Sequence, residues 1–283
     1  MGCGELVPEL PEVETVRRGL NATTLKQQIE GGEVLLDRTV AYPSPAEFLE
    51  NLRGRAIAQW HRRGKYLIGE LAEEGGWLGV HLRMTGQLFW TRPDEPVQTH
   101  CRVRLFMEGD RELRFIDQRT FGQMWSVPAG VPPEQVITGL QKLGPEPLSA
   151  DFTSDYLKTQ LHRRIRPIKN ALLDQSIVAG IGNIYADEAL FMSGIRPQKL
   201  CSRLNGKQFQ RIHAAIQDVL TQAIASRGTT FSNFRDVEGI NGNYGQRAWV
   251  YDREGEPCRT CGSPIQRLKL AGRSAHFCKQ CQK

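Results

Sequence analysis

No run of apolar residues in this chain approaches the roughly 18 that a membrane-spanning helix needs. The opening residues, MGCGELV, lack both the basic start and the apolar stretch of a secretory signal, so a cytoplasmic protein is expected. An even cysteine count is also missing: seven cysteines argue against a pure disulfide framework. No internal repeat is visible. What remains is ordinary globular composition, 40% hydrophobic and 24% charged. At 283 residues the chain has room for a real core divided over two or three modest units.

The net charge is +6 and unevenly placed. Between Gly245 and Lys283 stand Arg247, Arg253, Arg259, Arg267, Lys269, Arg273, Lys279 and Lys283, opposed by only Asp252, Glu254 and Glu256. Such a module suits a phosphate-backbone partner, although a solvated basic tail has the same composition. The same stretch holds Cys258-Arg-Thr-Cys261 and Cys278-Lys-Gln-Cys281, two C-x2-C pairs sixteen residues apart. Each pair brings two thiolates to one tetrahedral ion from a tight knuckle, the spacing of a zinc ribbon; stray reduced thiols are the alternative. Four sulfur ligands leave no position for water, so one structural zinc ion per chain is expected. Cys3, Cys101 and Cys201 have no such spacing and read as free thiols.

Pro11 to Leu20 reads as a helix, with proline at its first turn, Glu12 and Glu14 near the positive end of the dipole and Arg17 and Arg18 near the other. Short, partly alternating runs follow at Tyr66–Leu71, Trp77–Leu82, Gln87–Thr91, Arg102–Met107 and Glu112–Ile116. Strands at this spacing predict a β-sandwich or barrel. Gly130 to Pro147, with four prolines, reads as a linker or hinge. Phe209, Ile212, Ile216, Val219, Leu220 and Ala223 recur at helical spacing. Arg227 to Tyr244 reads as a mobile loop.

Five blocks remain: Pro8-Glu9-Leu10-Pro11-Glu12-Val13-Glu14-Thr15, Arg62-Arg63-Gly64-Lys65-Tyr66-Leu67, His81-Leu82-Arg83-Met84-Thr85-Gly86, Asp117-Gln118-Arg119-Thr120-Phe121-Gly122 and Gly180-Ile181-Gly182-Asn183-Ile184-Tyr185-Ala186-Asp187-Glu188. Singly they are ordinary: capped helices, a solvated lysine, a core Met and Phe, a glycine turn before a helix. Together with the cysteines they make the chain resemble the formamidopyrimidine-DNA glycosylase family over nearly everything from Pro8 to Lys283.

The resemblance implies an α+β multidomain fold. Residues 8–138 would form an N-terminal β-sandwich domain with flanking helices. Residues 139–244 would form a helix–two-turn–helix domain with a lesion-capping loop, and 245–283 a zinc ribbon, the β-hairpin zinc finger. It implies a base-excision-repair enzyme of the bacterial cytoplasm and nucleoid, monomeric and without membrane contact, acting on damaged double-stranded DNA. Such an enzyme excises oxidised purines (8-oxoguanine, formamidopyrimidines) and cuts the abasic strand by β,δ-elimination through a Schiff base.

Residue by residue, the implied nucleophile is the amine of Pro8 and the acid/base group is Glu9. Lys65 and Arg273 are further catalytic groups that hold phosphates. Met84, Arg119 and Phe121 would fill the space left by the extruded nucleotide. His100, Arg164 and Asn183 would contact DNA. The basic cluster Arg163, Arg164 and Arg166 could equally be a solvated helix face. Gln118 and Thr120 stand where the family more usually has Pro and Arg. A proline nitrogen inside a peptide is an amide, so Met1–Val7 is expected to be an extension absent from the active protein, translation starting at Val7. Two alternatives stay open, an oxidised-pyrimidine glycosylase of the endonuclease VIII type and a catalytically silent binder of damaged DNA.

Overall fold

Capping chemistry starts the first helix. Pro11 lies in its first turn, and the Glu12 carboxylate turns back to accept the Glu9 backbone N–H at 3.0 Å, a capping box. Helix α1 (Leu10–Thr23) then buries Val13, Val16 and Leu20 completely, at spacings of three and four. The molecule is described by a computed structural model covering residues 7–229, 237, 239 and 242–283.

After α1 come β1 (Ile29–Val34), β2 (Val40–Tyr42), α2 (Pro45–Leu52), β3 (Ile57–Arg63), β4 (Tyr66–Leu71), β5 (Trp77–His81), β6 (Gly86–Thr91), β7 (Cys101–Met107), β8 (Arg111–Asp117) and β9 (Gln123–Val127). They form a four-stranded sheet in the order β1-β7-β8-β6 and a five-stranded sheet in the order β2-β9-β5-β4-β3. Only the β2–β9 pairing is parallel among these. Strand β7 shows why the sheets face one another: Cys101, Val103, Leu105 and Met107 are buried while the residues between them are not. One apolar cluster joins Trp60, Leu67, Leu78 and Val80 of the larger sheet to Leu88, Val103, Leu105 and Phe115 of the smaller, with α1 and α2 closing it. This is the expected sandwich.

Helix α1 is laced to β3 by polar bonds. Asn21 donates to the Trp60 carbonyl at 3.0 Å and accepts the Trp60 N–H at 2.8 Å, while the Trp60 indole donates to Thr24 Oγ1 at 2.9 Å. Arg62 donates to Glu14 at 3.2 Å, and Arg17 and Arg18 reach the same carboxylate at 2.8 and 2.9 Å.

The proline-rich stretch is not a free linker. Pro133–Val136 forms the short helix α3, and Ile137 and Leu140 are buried. A Cβ on Gly79 would lie 2.5 Å from Ile137 Cδ1, so the five-stranded sheet keeps a glycine where this segment packs. The chain divides into two compact units after Gln141 rather than after residue 138. Of the described residues after α7, residues 227–229, Val237, Gly239, Gly242 and Asn243 group with the first unit and not with the helices, because the Trp90 N–H donates to the Val237 carbonyl at 2.9 Å and Thr229 bonds to Glu12. Thr230 and most of the expected capping loop lie outside the described residues.

The second unit, Lys142–Ser226 with Tyr244–Lys283, unites the helices and the ribbon that the sequence reading kept apart. Its helices are α4 (Ser154–Leu161), α5 (Ile168–Leu172), α6 (Asn183–Met192) and α7 (Gly206–Ala225), followed by strands β10 (Gln266–Leu270) and β11 (Arg273–Phe277). The fully buried Glu188 of α6 explains the union: its carboxylate accepts the N–H groups of Trp249, Val250 and Tyr251 at 2.7–2.9 Å.

Glu14 generates a pH prediction. Burial alone would raise its pKa, but the bonds and charges of Arg17, Arg18 and Arg62 outweigh burial and bring it down to about 2 from 4.5. A depressed carboxylate contributes stability that is present above its unfolded value and lost as pH falls through the folded one. Glu14→Gln should therefore flatten the decline in stability between pH 4.5 and about 2, measured by urea unfolding across that range. An unchanged pH slope would show that the pair contributes nothing.

Candidate active site and nucleic-acid interface

In the first unit, Pro8 is buried and directly precedes Glu9, which is 2% exposed. Glu12, fully buried, fixes this start twice: it holds the Glu9 N–H and accepts the Thr229 N–H and hydroxyl at 2.8 and 3.1 Å. Lys65 lies in the two-residue connection between β3 and β4, where Arg63 pairs with Tyr66. Gly64 takes φ +55° there, the positive value that a type II′ hairpin requires at its first position. Because Arg62 bonds Glu14, the hairpin tip carrying Lys65 is tied to helix α1, whose N-cap is Glu9.

His81, opposite Tyr66 across the β4–β5 ladder, was missed in the sequence reading although it opens one of the blocks. Its Nδ1 accepts the Arg83 N–H at 3.0 Å, which leaves the ring proton on Nε2. Burial, then the charges of Arg83 and Lys65, push its pKa down to about 3, so the imidazole stays neutral at physiological pH.

Met84, Arg119 and Phe121 sit on two turns joined by one buried carboxylate. Asp117, 1% exposed, accepts the Thr85 hydroxyl on one oxygen and the Gly122 N–H at 2.7 Å on the other. The Thr85 hydroxyl in turn accepts the Arg119 N–H at 2.9 Å. Phe121 is 52% exposed and Met84 half-buried, so neither is a core residue. The Arg119 guanidinium lies 5.1 Å from the centre of the Phe121 ring. His100 ends the connection from β6 to β7. That connection is fastened by the fully buried Arg114, which donates to the carbonyls of Arg92, Glu95 and Pro96 and is neutralised by Glu112 at 2.6 Å.

In the second unit, Arg164 is exposed, with its Nε on the Gln160 carbonyl at 2.8 Å. Gln175 shapes the turn ahead of α6, accepting the Gly180 N–H and donating to the Ile181 carbonyl, both at 2.8 Å. This delivers Asn183 to the first helical position of α6. Asn183 Nδ2 donates to Ser274 Oγ at 3.2 Å, so the helix start meets the residue beside Arg273. Lys169 and Asp187, both buried, lie 2.7 Å apart; Lys169 also donates to the Ser274 carbonyl, and Asp187 accepts the His276 N–H at 2.9 Å. Arg273 itself is exposed at the start of β11, just after the turn Ala271-Gly272, whose two positive φ values mark a type I′ hairpin.

The four thiolates converge as the spacing requires. The sulfurs of Cys258, Cys261, Cys278 and Cys281 all lie within 4.8 Å of one another. Two of the separations are 3.9 and 3.4 Å, close to the ~3.8 Å edge of a tetrahedron with zinc–sulfur bonds of about 2.3 Å. The Ser263 N–H, then its hydroxyl, hold the Cys261 thiol down to about 6, toward the thiolate that binds metal. Gly262, at φ +74°, makes the first knuckle, and its N–H donates to the Cys258 carbonyl at 2.8 Å. The donor set fits one structural zinc ion.

A sandwich that carries an exposed Phe and half-buried Met and Arg on clamped turns, and a helical unit backing a zinc hairpin, define the class of zinc-finger DNA glycosylases. Three family models match in sequence order: the formamidopyrimidine-DNA glycosylase N-terminal domain over residues 7–124, the H2TH domain of the same enzymes over 143–235, and a zinc finger found in FPG and IleRS over 255–283. A formamidopyrimidine-DNA glycosylase of Nostoc sp. is 60% identical over 282 residues, covering 98% of this chain and 100% of the relative. One from Synechococcus sp. is 62% identical, covering 98% and 99%. Among solved structures, the Thermus thermophilus MutM (FPG) protein superposes with TM-score 0.87 at 38% identity, covering 97% of this chain and 98% of that one. Lactococcus lactis Fpg in complex with DNA containing an abasic site gives 0.89 at 35%, covering 97% and 99%. The chain belongs to the formamidopyrimidine-DNA glycosylase family. No helix among the described residues is long and apolar enough to cross a membrane.

The Asp117 clamp and the zinc each have a direct test. Thr85→Val removes the hydroxyl from between Asp117 and Arg119, leaving a buried carboxylate oxygen and a backbone N–H short of a partner. It should cost about 1–3 kcal/mol in urea unfolding while Thr85→Ser costs little; equal stability of the two would dismiss the clamp. Chelation should withdraw one zinc ion per chain and abolish hydrogen-exchange protection in β10 and β11, since structural zinc in small fingers contributes about 10–16 kcal/mol. Protection in β4 and β5 should persist.

Proposed function

We propose that the chain is a bifunctional base-excision-repair glycosylase for oxidised purines in DNA, with the Pro8 amine as its nucleophile. The observation that carries this reading is the start of α1: Pro8 immediately precedes buried Glu9, and the match to the family's N-terminal domain begins at residue 7. A terminal amine has a pKa of about 7.7–8.0, so an appreciable fraction is neutral near physiological pH. It attacks C1′, the glycosidic bond breaks, and the base departs with a proton while Glu9 assists opening of the sugar ring. The resulting iminium is the electron sink for both eliminations. Loss of a C2′ proton expels the 3′ phosphate, and a second proton loss expels the 5′ phosphate.

In this reading Lys65, with neutral His81 beside it, and Asn183 with Arg273 hold backbone phosphates. Met84 and Phe121 fill the gap left by the flipped nucleotide, where Arg119 offers paired donors to the opposite base. His100 and Arg164 add backbone contacts. Zinc takes no part in the chemistry and acts as the scaffold of Arg273. The enzyme works as a monomer in the bacterial cytoplasm, and residues 1–7 are absent from its active form because translation starts at Val7 and the initiating methionine is removed.

Borohydride trapping on a duplex containing 8-oxoguanine tests this with proteins beginning at Met1 and at Pro8. A covalent protein–DNA adduct is expected from the Pro8 form alone. No adduct from that form, or an equal adduct from protein with Met1 intact, would refute the proline mechanism. A Lactococcus lactis Fpg structure at 35% identity holds DNA with an oxidised pyrimidine, so the same experiment with thymine glycol ranks the two substrate classes.

A further inference from the structure

Thr120 is the least comfortable residue of the Arg119–Phe121 turn. Its φ is +58°, the left-handed region that β-branched residues rarely occupy. Its hydroxyl accepts a hydrogen bond from Nη2 of Arg38, a residue 82 positions earlier in the 3-10 helix Asp37–Thr39 between β1 and β2. Arg38 is exposed, and among the described residues it forms no ion pair, Asp37 beside it included. A neutral hydroxyl orients the guanidinium without cancelling its charge, and one N–H spent on Thr120 leaves the rest of the fork directed to solvent or ligand. Arg83, on the Met84 turn, is held in the same manner: it is exposed, and its Nη2 donates to the neutral Gln123 Oε1 at 2.9 Å. Holding a long cationic side chain in one place costs rotamer freedom, and no carboxylate recovers that cost here. An anion would.

We propose that Arg38 is a DNA-backbone contact of the Arg119–Phe121 turn, its guanidinium oriented by Thr120 to take a phosphate beside the site of nucleotide extrusion. Here the turn receives its guanidinium from position 38 through a hydroxyl that could not supply one itself. The assignment rests on the DNA-glycosylase reading but on none of its chemical steps.

Salt dependence of binding separates a phosphate contact from a brace of the turn. Each neutralised phosphate on a B-form duplex adds about 0.9 to the slope of log affinity against log salt. Dissociation constants of the full chain for an undamaged duplex and for one carrying a tetrahydrofuran abasic analogue, at 50–200 mM salt, give that slope. Arg38→Gln should lower it by about 0.9 on both duplexes, so that its affinity falls about 3.5-fold less than the parent's across the range. Arg38→Lys, which keeps a point charge, should restore most of the slope. Thr120→Val, which keeps Arg38 but releases it, should weaken binding while leaving the slope nearer to that of the parent. Unchanged slopes in Arg38→Gln, with or without weaker binding, would overturn the assignment and leave Arg38 as a brace. A parent protein with no preference for the abasic duplex would count against the glycosylase reading instead.

Discussion

The candidate functional residues of this protein sit on or beside turns, and turns do not hold themselves. Buried carboxylates aimed at backbone N–H groups do that work. Glu12 fixes the Glu9 end of α1 and Thr229; Asp117 fixes the Met84 and Phe121 turns; Asp187 fixes the zinc hairpin to α6, and Glu188 fixes Trp249, Val250 and Tyr251 ahead of it. Burying a carboxylate is costly unless charge-assisted hydrogen bonds satisfy it. The same cost makes the arrangement specific: a turn displaced by an ångström would leave a buried charge unpaired, so the alternatives are suppressed. An apolar contact would tolerate that displacement, and Arg119 or Asn183 held only by packing would wander.

Local signals were legible in the sequence and long-range ones were not. Strand β4 was read with its true limits because Tyr66–Leu71 is a compact apolar run, and β5 to β8 were displaced by a residue at most at either end. Strand β1 escaped notice because Ile-Glu-Gly-Gly-Glu-Val has no apolar period. Its place is set by β7: Gly32 pairs with Leu105, and a Cβ there would lie 2.5 Å from the Arg104 carbonyl oxygen. The prolines from Pro132 to Pro147 suggested a linker, and nothing local reveals that helix α3 forms there or that Gly79 leaves space for Ile137.

The same divide runs through the candidate site. The cysteines could be read without a structure because both knuckles close within a few residues, so spacing alone carries the geometry. Candidate residues such as Lys65 and Asn183 were singled out as members of blocks. The groups that orient them were not, because Asp187 and His276 are 89 residues apart, and Glu12 and Thr229 are 217 apart. His81 was overlooked for a related reason: its neutral state and its tautomer come from burial and from the Arg83 N–H, neither visible in a string of letters.

The zinc illustrates how these supports share labour. Strand β10 buries no residue, so the β10–β11 hairpin is a two-stranded ribbon of the kind that is marginal on its own. Its open end is pinned by Cys261 and Cys278. The turn before Arg273, however, is five residues from Cys278, roughly 17 Å along an extended strand, too far for the metal to fix. There the Asp187 carboxylate and the Lys169 ammonium take over through His276 and Ser274, while Asn183 reaches the Ser274 side chain. Zinc alone would give a folded knuckle with a loose tip, and the carboxylate alone would hold a tip with nothing behind it. Arg273 is positioned because both ends of the hairpin are held at once.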